Sequence, residues 1–253
     1  MIEVQNAIKT FDGNQVLKNV SAIFEAGKTN LIIGQSGSGK TVLMKSIVGI
    51  HRIDSGHILY DGRDITIMKR KQLNQLRREI GMLFQGSALF DSLTVFENVM
   101  FPLEMFSSMP KKDMMERADF CINRVNLTEA KNKYPSEISE GMQKRAAIAR
   151  SISLNPKYLF CDEPNSGLDP QTSLVIDQLI KEITEEFDIT TIINTHDMNS
   201  VMGIGDNIIF IHEGRKEWQG SKNEIFSCKN QNFNDFVFAS DLYKKIKNVN
   251  NDF

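Results

Sequence analysis

The eight residues Gly34-Gln35-Ser36-Gly37-Ser38-Gly39-Lys40-Thr41 constrain this chain more than any other stretch. They follow the pattern G-x-x-x-x-G-K-T, a loop that wraps phosphate. Their setting makes the match specific. Thr29-Asn30-Leu31-Ile32-Ile33, just before, is an apolar run of strand length. Val42, Leu43, Ile47 and Val48, just after, repeat at helical spacing, and Gly49 offers a stop. A triphosphate needs main-chain N–H groups close by, and glycines let the backbone approach it. The helix that follows turns its free N–H groups and the positive end of its dipole toward the anion. Lys40 adds a charge at the outer phosphates, and the Thr41 hydroxyl is a ligand for Mg2+.

Upstream, Ile2, Val4, Val16, Val20, Ala22 and Phe24 are spaced as in short strands, with a turn at Asp12-Gly13. Phe11 precedes that turn. Its position fits a hairpin aromatic or a plate that stacks on a nucleotide base. Turn signals at 54–56 and 61–62 flank Ile58-Leu59-Tyr60, the pattern of a second hairpin. The basic run 69–78 reads as a helix with a solvated face, the common use of such charge, although lipid headgroups or RNA would also suit it. The strand-like run 80–85 ends in Gln85, either an inert strand end or a carbonyl ligand for Mg2+ and the attacking water.

From 86 to 135 apolar residues become dense, with Pro102 and Pro110 expected to break the run. Met115, Ala118, Ile122 and Val125 then recur at helical spacing. This is the pattern of an inserted helical subdomain, whose methionines and phenylalanines suit either its core or a groove for a partner helix. Ser139 heads a second amphipathic helix, as an N-cap or as a weak anion site. Tyr158-Leu159-Phe160-Cys161 is an apolar strand that ends in Asp162 and Glu163. Packing alone does not call for two acids there. Asp162 suits Mg2+, and Glu163 can polarise a water. A helix from about 171 should bury Val175, Ile176, Leu179, Ile180 and Ile183. His196 follows the strand 189–193, where open α/β sheets place ligands. His51, His57 and His212 read as structural. The phenylalanines of 226–238, with Leu242, suit packing on the body or on a second subunit.

Lys+Arg 30 against Asp+Glu 32 gives net charge −2, which does not point to nucleic acid as a partner. No apolar run approaches the roughly 20 residues that span a bilayer, and no secretory leader is visible at the start. Cys121, Cys161 and Cys228 fit neither a disulfide framework nor a zinc site, as expected in a reducing cytoplasm.

Taken in order, these stretches resemble the ATP-binding subunits of ABC transporters over about residues 1–225. The resemblance implies an α/β P-loop NTPase with a RecA-like core. It adds an N-terminal antiparallel β subdomain and a helical subdomain inserted at about 86–155. Residues 226–253 form an extension whose end is expected to be disordered. Phe11 stands at the family's base-stacking aromatic, and Gly34 to Thr41 at the Walker A loop. Gln85 stands at the glutamine loop, and Ser139 and Gly141 in the signature. Asp162 ends the Walker B strand, Glu163 matches the catalytic base, 166–169 the D-loop, and His196 the switch histidine. ATP and Mg2+ follow as ligands, with Lys40, Glu163 and His196 catalytic and Thr41, Gln85 and Asp162 around the metal. The family also implies a head-to-tail homodimer that sandwiches ATP, held by an integral-membrane permease at the cytoplasmic face of the inner membrane. Glu140 and Met142 depart from the family's Ser-Gly-Gly-Gln signature, and Glu140 brings an acid toward phosphate unless it points away.

The run 82–99 and the signature methionine further resemble the ATPases of Mla/Mce-type phospholipid transport systems, which implies lipid cargo and a lipid-binding Mce-type partner. Two alternatives stand beside it: another cargo, imported or exported, such as a polar amino acid, and a soluble ABC ATPase with no permease.

Overall fold

The computed structural model describes residues 1–239. The chain opens with β1 (Ile2–Phe11), β2 (Asn14–Phe24), β3 (Thr29–Ile33), α1 (Lys40–Ile47), β4 (Ser55–Tyr60) and β5 (Arg63–Asp64). Next come α2 (Arg70–Arg77), β6 (Ile80–Leu83), α3 (Val95–Phe106), α4 (Lys111–Arg124), α5 (Glu140–Ile152), β7 (Tyr158–Asp162) and α6 (Pro170–Glu186). The described part closes with β8 (Thr190–Asn194), α7 (Met198–Ile204), β9 (Asn207–His212), β10 (Arg215–Gly220) and α8 (Gln231–Val237). Two compact units share these elements. One holds residues 1–68 and, of the described residues, 192–239; the other holds 69–191.

In the first unit β2, β1, β4 and β5 form an antiparallel sheet in that order. Asp12 (φ 47°) and Gly13 (φ 81°) both take the left-handed region, which a two-residue hairpin turn requires. β1 and β2 are longer than the short strands expected. Three register shifts between them interrupt the alternation by which a strand is read from sequence. Their inward residues, Ile2, Val4, Ala7, Leu17, Val20, Ala22 and Phe24, are buried. The wholly buried β3 pairs in parallel with β9, and β9 turns back on β10. The aromatic tail packs on this hairpin, with Phe233 4.4 Å from Trp218 and 5.4 Å from Phe210 between ring centres. Leu242 and the disorder expected at the chain's end lie outside the described residues.

In the second unit β6 and β7 pair in parallel from Ile80↔Tyr158 to Leu83↔Cys161. The strands stop short of the runs expected: Gln85 lies two residues past β6, and Glu163 one past β7. Pro102 does not break the helix. It sits inside α3, whose start is secured by a reciprocal cap between Thr94 and Glu97, and whose end comes only at Phe106. Asn98 then ties the preceding loop to this helix. Its amide donates to the Phe90, Leu93 and Thr94 carbonyls, and its oxygen accepts from the Phe90 N–H at 2.8 Å. Ile176, Leu179, Ile180 and Ile183 line the buried side of α6, but Val175 and Leu174 point to solvent. Val175 lies one residue off the buried stripe, at its margin. Met115 likewise faces out of α4 while Ala118, Ile122 and Val125 turn in.

The dense apolar stretch divides. Val95, Val99, Met100 and Leu103 are buried, whereas Phe84, Phe90, Met105 and Phe106 are exposed. Met82, Phe84, Phe90, Phe101, Pro102 and Phe106 line an open cavity of about 640 Å³.

Candidate nucleotide site

In the first unit β3 delivers Gly34 to the turn before α1. Gly34 has φ 148°, and a side chain there would run into the Ile211 carbonyl, so no other residue fits this entry to the loop. Lys40 lies across the loop, its Nζ donating to the Gly34 carbonyl at 2.8 Å and the Gln35 carbonyl at 3.0 Å. These bonds hold the ammonium against the start of the loop, whose next residues are Ser36, Gly37 and Ser38. The Ser38 N–H donates back to the Gln35 carbonyl at 3.2 Å. The Ser38 hydroxyl is buried with no hydrogen-bond partner. A buried hydroxyl left in this way costs about 1–3 kcal/mol, which an anion acceptor in the loop would recover. Gly39 caps α1 in a left-handed conformation. Thr41 is exposed in the first turn, and its Oγ1 accepts from the Asn194 amide at 3.2 Å.

Phe11 is 37 % exposed at the tip of β1. Its ring lies 5.3 Å edge-on from His51, with the Lys9 ammonium 5.0 Å from its centre. His196 is exposed between β8 and α7, where Asp197 caps the helix by accepting from the Asn199 N–H at 2.8 Å.

In the second unit Gln85 is linked to the turn that follows β7. Its side-chain amide donates to the Ser166 hydroxyl at 3.2 Å. The Ser166 N–H donates to the Glu163 carbonyl at 3.2 Å. Glu163 has φ 49°, an unusual value for a non-glycine residue, so the chain turns sharply just after Asp162. Both acids are half-buried. Ser139 is the expected N-cap, its hydroxyl accepting from the Met142 N–H at 3.3 Å. The start of α5 opens on a cavity of about 690 Å³, lined in part by Ser139, Gly141, Gly167 and Asp169. Glu140 turns away along this chain. Its carboxylate lies beside Gly167, 2.7 Å from where a side chain there would begin. Among the described residues no group of three or more His, Cys, Asp or Glu could hold a metal ion by itself.

Two residues at these sites were missed by sequence reasoning. Asn194 ends a buried strand in a polar group, the same signal that marked Gln85 and Asp162. Lys144 sits on the buried side of α5, 1 % exposed, and its ammonium donates to the Gln85 carbonyl. A lysine on an apolar helix stripe was the available sign.

The family model described as ABC transporter matches residues 17–166. The chain belongs to the ABC transporter family. This ABC ATPase is 36 % identical over 241 residues to the methionine import ATP-binding protein MetN of Clostridium acetobutylicum, covering 95 % of this chain and 75 % of that one. It is 40 % identical over 229 residues to MetN of Carboxydothermus hydrogenoformans, covering 89 % and 68 %. The probable ribonucleotide transport ATP-binding protein mkl of Mycobacterium leprae is 37 % identical over 207 residues, covering 82 % of this chain and 60 % of that one. Among solved structures, the dimeric post-hydrolysis state of the cassette MJ0796 bound to ADP and Pi matches with TM-score 0.79 and 31 % identity, covering 88 % and 99 %. cbiO1 from Clostridium perfringens, part of the cbiONQ transporter complex, matches with TM-score 0.84 and 31 % identity, covering 98 % and 97 %. The fold is therefore that of the ABC cassettes, and the activity is ATP hydrolysis.

Proposed function

We propose that this ATPase powers solute import through an integral-membrane permease, with an amino acid such as methionine as cargo. The loop geometry carries the ATP-binding half of this reading: Lys40 is pinned across the Gly34 and Gln35 carbonyls beside the unpartnered Ser38 hydroxyl. The import half rests on the MetN relatives. No helix among the described residues is long and apolar enough to cross a membrane. A permease would supply the passage and hold the ATPase at the cytoplasmic face.

Residues 1–225 act as the nucleotide-binding domain, with the helical insert at about 86–155. The base stacks on Phe11, and the phosphates lie on the N–H groups from Gln35 to Thr41, with Lys40 at the outer two. Thr41, Gln85 and Asp162 would hold Mg2+. One hydroxyl, one amide and one carboxylate suit this ion, which keeps waters and phosphate oxygens rather than an all-protein cage. Bound there, it would supply positive charge to offset the charge of the phosphates. Glu163 orients or deprotonates the attacking water, and Lys40 and His196 meet the charge that develops on the transferred phosphoryl group. Ser139 and Gly141 close the site of a second copy in the head-to-tail homodimer that the family resemblance implies; that the MJ0796 cassette is dimeric supports the pairing. With its carboxylate beside Gly167, Glu140 leaves the helix N-terminus open to that phosphate.

A second reading keeps the mechanism and changes the cargo to phospholipid, with a Mce-type partner. The run 82–99 favours it. Proteoliposomes containing the ATPase with its permease should accumulate labelled methionine only with ATP inside the coupling compartment. ATP-dependent phospholipid transfer without methionine uptake would favour the second reading. Hydrolysis that never responds to any permease would overturn both and leave a soluble ATPase.

A further inference from the structure

Lys144 has no role in the chemistry above, yet it is among the most deeply buried side chains of the second unit. A buried ammonium persists where its hydrogen bonds are worth more than its hydration. Its Nζ donates to the main-chain carbonyl of Gln85, a residue already past the end of β6 and so beyond the sheet's own ladder. Burial lowers the Lys144 pKa, and the Glu140 carboxylate one turn earlier on α5 opposes that shift. Farther along the same helix Arg150 donates to the carbonyls of Ser87 at 2.8 Å and Ala88 at 2.6 Å. Those two residues have φ 61° and 49°, conformations that need outside support. The segment from Gln85 to Ala88 is thus held by cations of α5. At its other end Gln85 reaches the Ser166 hydroxyl, and Ser166 is bonded to the main chain of Glu163.

We propose that Lys144 is a positioning residue for hydrolysis: its ammonium fixes the main chain at Gln85, and thereby aims the Gln85 side chain and ties the signature helix to the Ser166–Glu163 turn. This rests on the reading above that Gln85 serves the Mg2+ and water end of the site. In this role Lys144 needs no contact of its own with nucleotide or metal.

The test is steady-state phosphate release by the full chain carrying Lys144→Met, Lys144→Arg, Gln85→Ala, or Lys144→Met with Gln85→Ala. Misplacing a reacting group by about an ångström costs up to about a hundredfold, so Lys144→Met should lower kcat about ten- to hundredfold. The KM for ATP should stay within about twofold, because the phosphate loop is untouched. Lys144→Arg, which keeps a cationic donor, should recover most of that loss. On the Gln85→Ala background Lys144→Met should add less than about a twofold further loss, since both act through one group. Losses that multiply in the double variant, or an unchanged kcat in Lys144→Met, would overturn the proposal while leaving the role of Gln85 intact. Gln85→Ala with full turnover would overturn the reading of Gln85 itself, and this inference with it. If Lys144→Met does not fold, Lys144→Ala, which likewise removes the donor, takes its place. The same fall in kcat and the same non-additivity with Gln85→Ala are then expected, and an unchanged kcat or multiplying losses overturn the proposal.

Discussion

Lys40 is 7 % exposed and bonded to two loop carbonyls, so it arrives at the phosphates pre-aimed. Lys40→Ala removes a charge-assisted contact worth about 1.5–3 kcal/mol, and titration calorimetry should show ATP affinity falling by tenfold or more. Unchanged affinity would place the triphosphate elsewhere. The thiols give a second check at this scale. Burial pushes Cys121 up to about 11 and Cys161 higher still, whereas Cys228 is only half-buried. A thiol reagent at pH 8 should label Cys228 first, and the other two only after unfolding. The loop and the paired acids were legible because their chemistry demands fixed residue types at fixed spacing. Asn194 and Lys144 were not. Their partners, Thr41 and Gln85, lie 153 and 59 residues away, and only the folded chain brings those atoms together.

At the scale of elements, α3 shows how local caps outrank propensity. Pro102 was expected to end a helix, yet the Thr94–Glu97 cap and the Asn98 clamp hold α3 to Phe106. Asn98→Ala would remove the partner of the part-buried Phe90 N–H and one hydrogen bond from each of the Phe90, Leu93 and Thr94 carbonyls. Urea unfolding should show a loss of about 2–3 kcal/mol, with ATP affinity kept because the phosphate loop is remote in sequence and in the other unit. A loss near zero would mean that water replaces the amide. The hairpins at Asp12-Gly13 and Asp61-Gly62 were readable from their turn residues alone. The lengths of β1 and β2 were not, because bulges break the period on which strand reading depends. The exposed face of α3 was also ambiguous in sequence: an apolar stripe says that something covers it, not what.

For the molecule as a whole, the proposed function makes ATP both fuel and adhesive between two copies. Glu163 stands at the sharp turn after β7 and is assigned to cleavage, while Lys40 and the loop are assigned to retention. Separating those roles is the most direct test. Purified Glu163→Gln protein should be given Mg-ATP and followed by phosphate release and by light scattering during gel filtration. General-base help is worth about 10²–10⁴-fold, so turnover should fall by that factor while the variant keeps ATP and runs as a dimer. A variant that hydrolyses ATP like the native chain, or one that loses the nucleotide and stays monomeric, would contradict it.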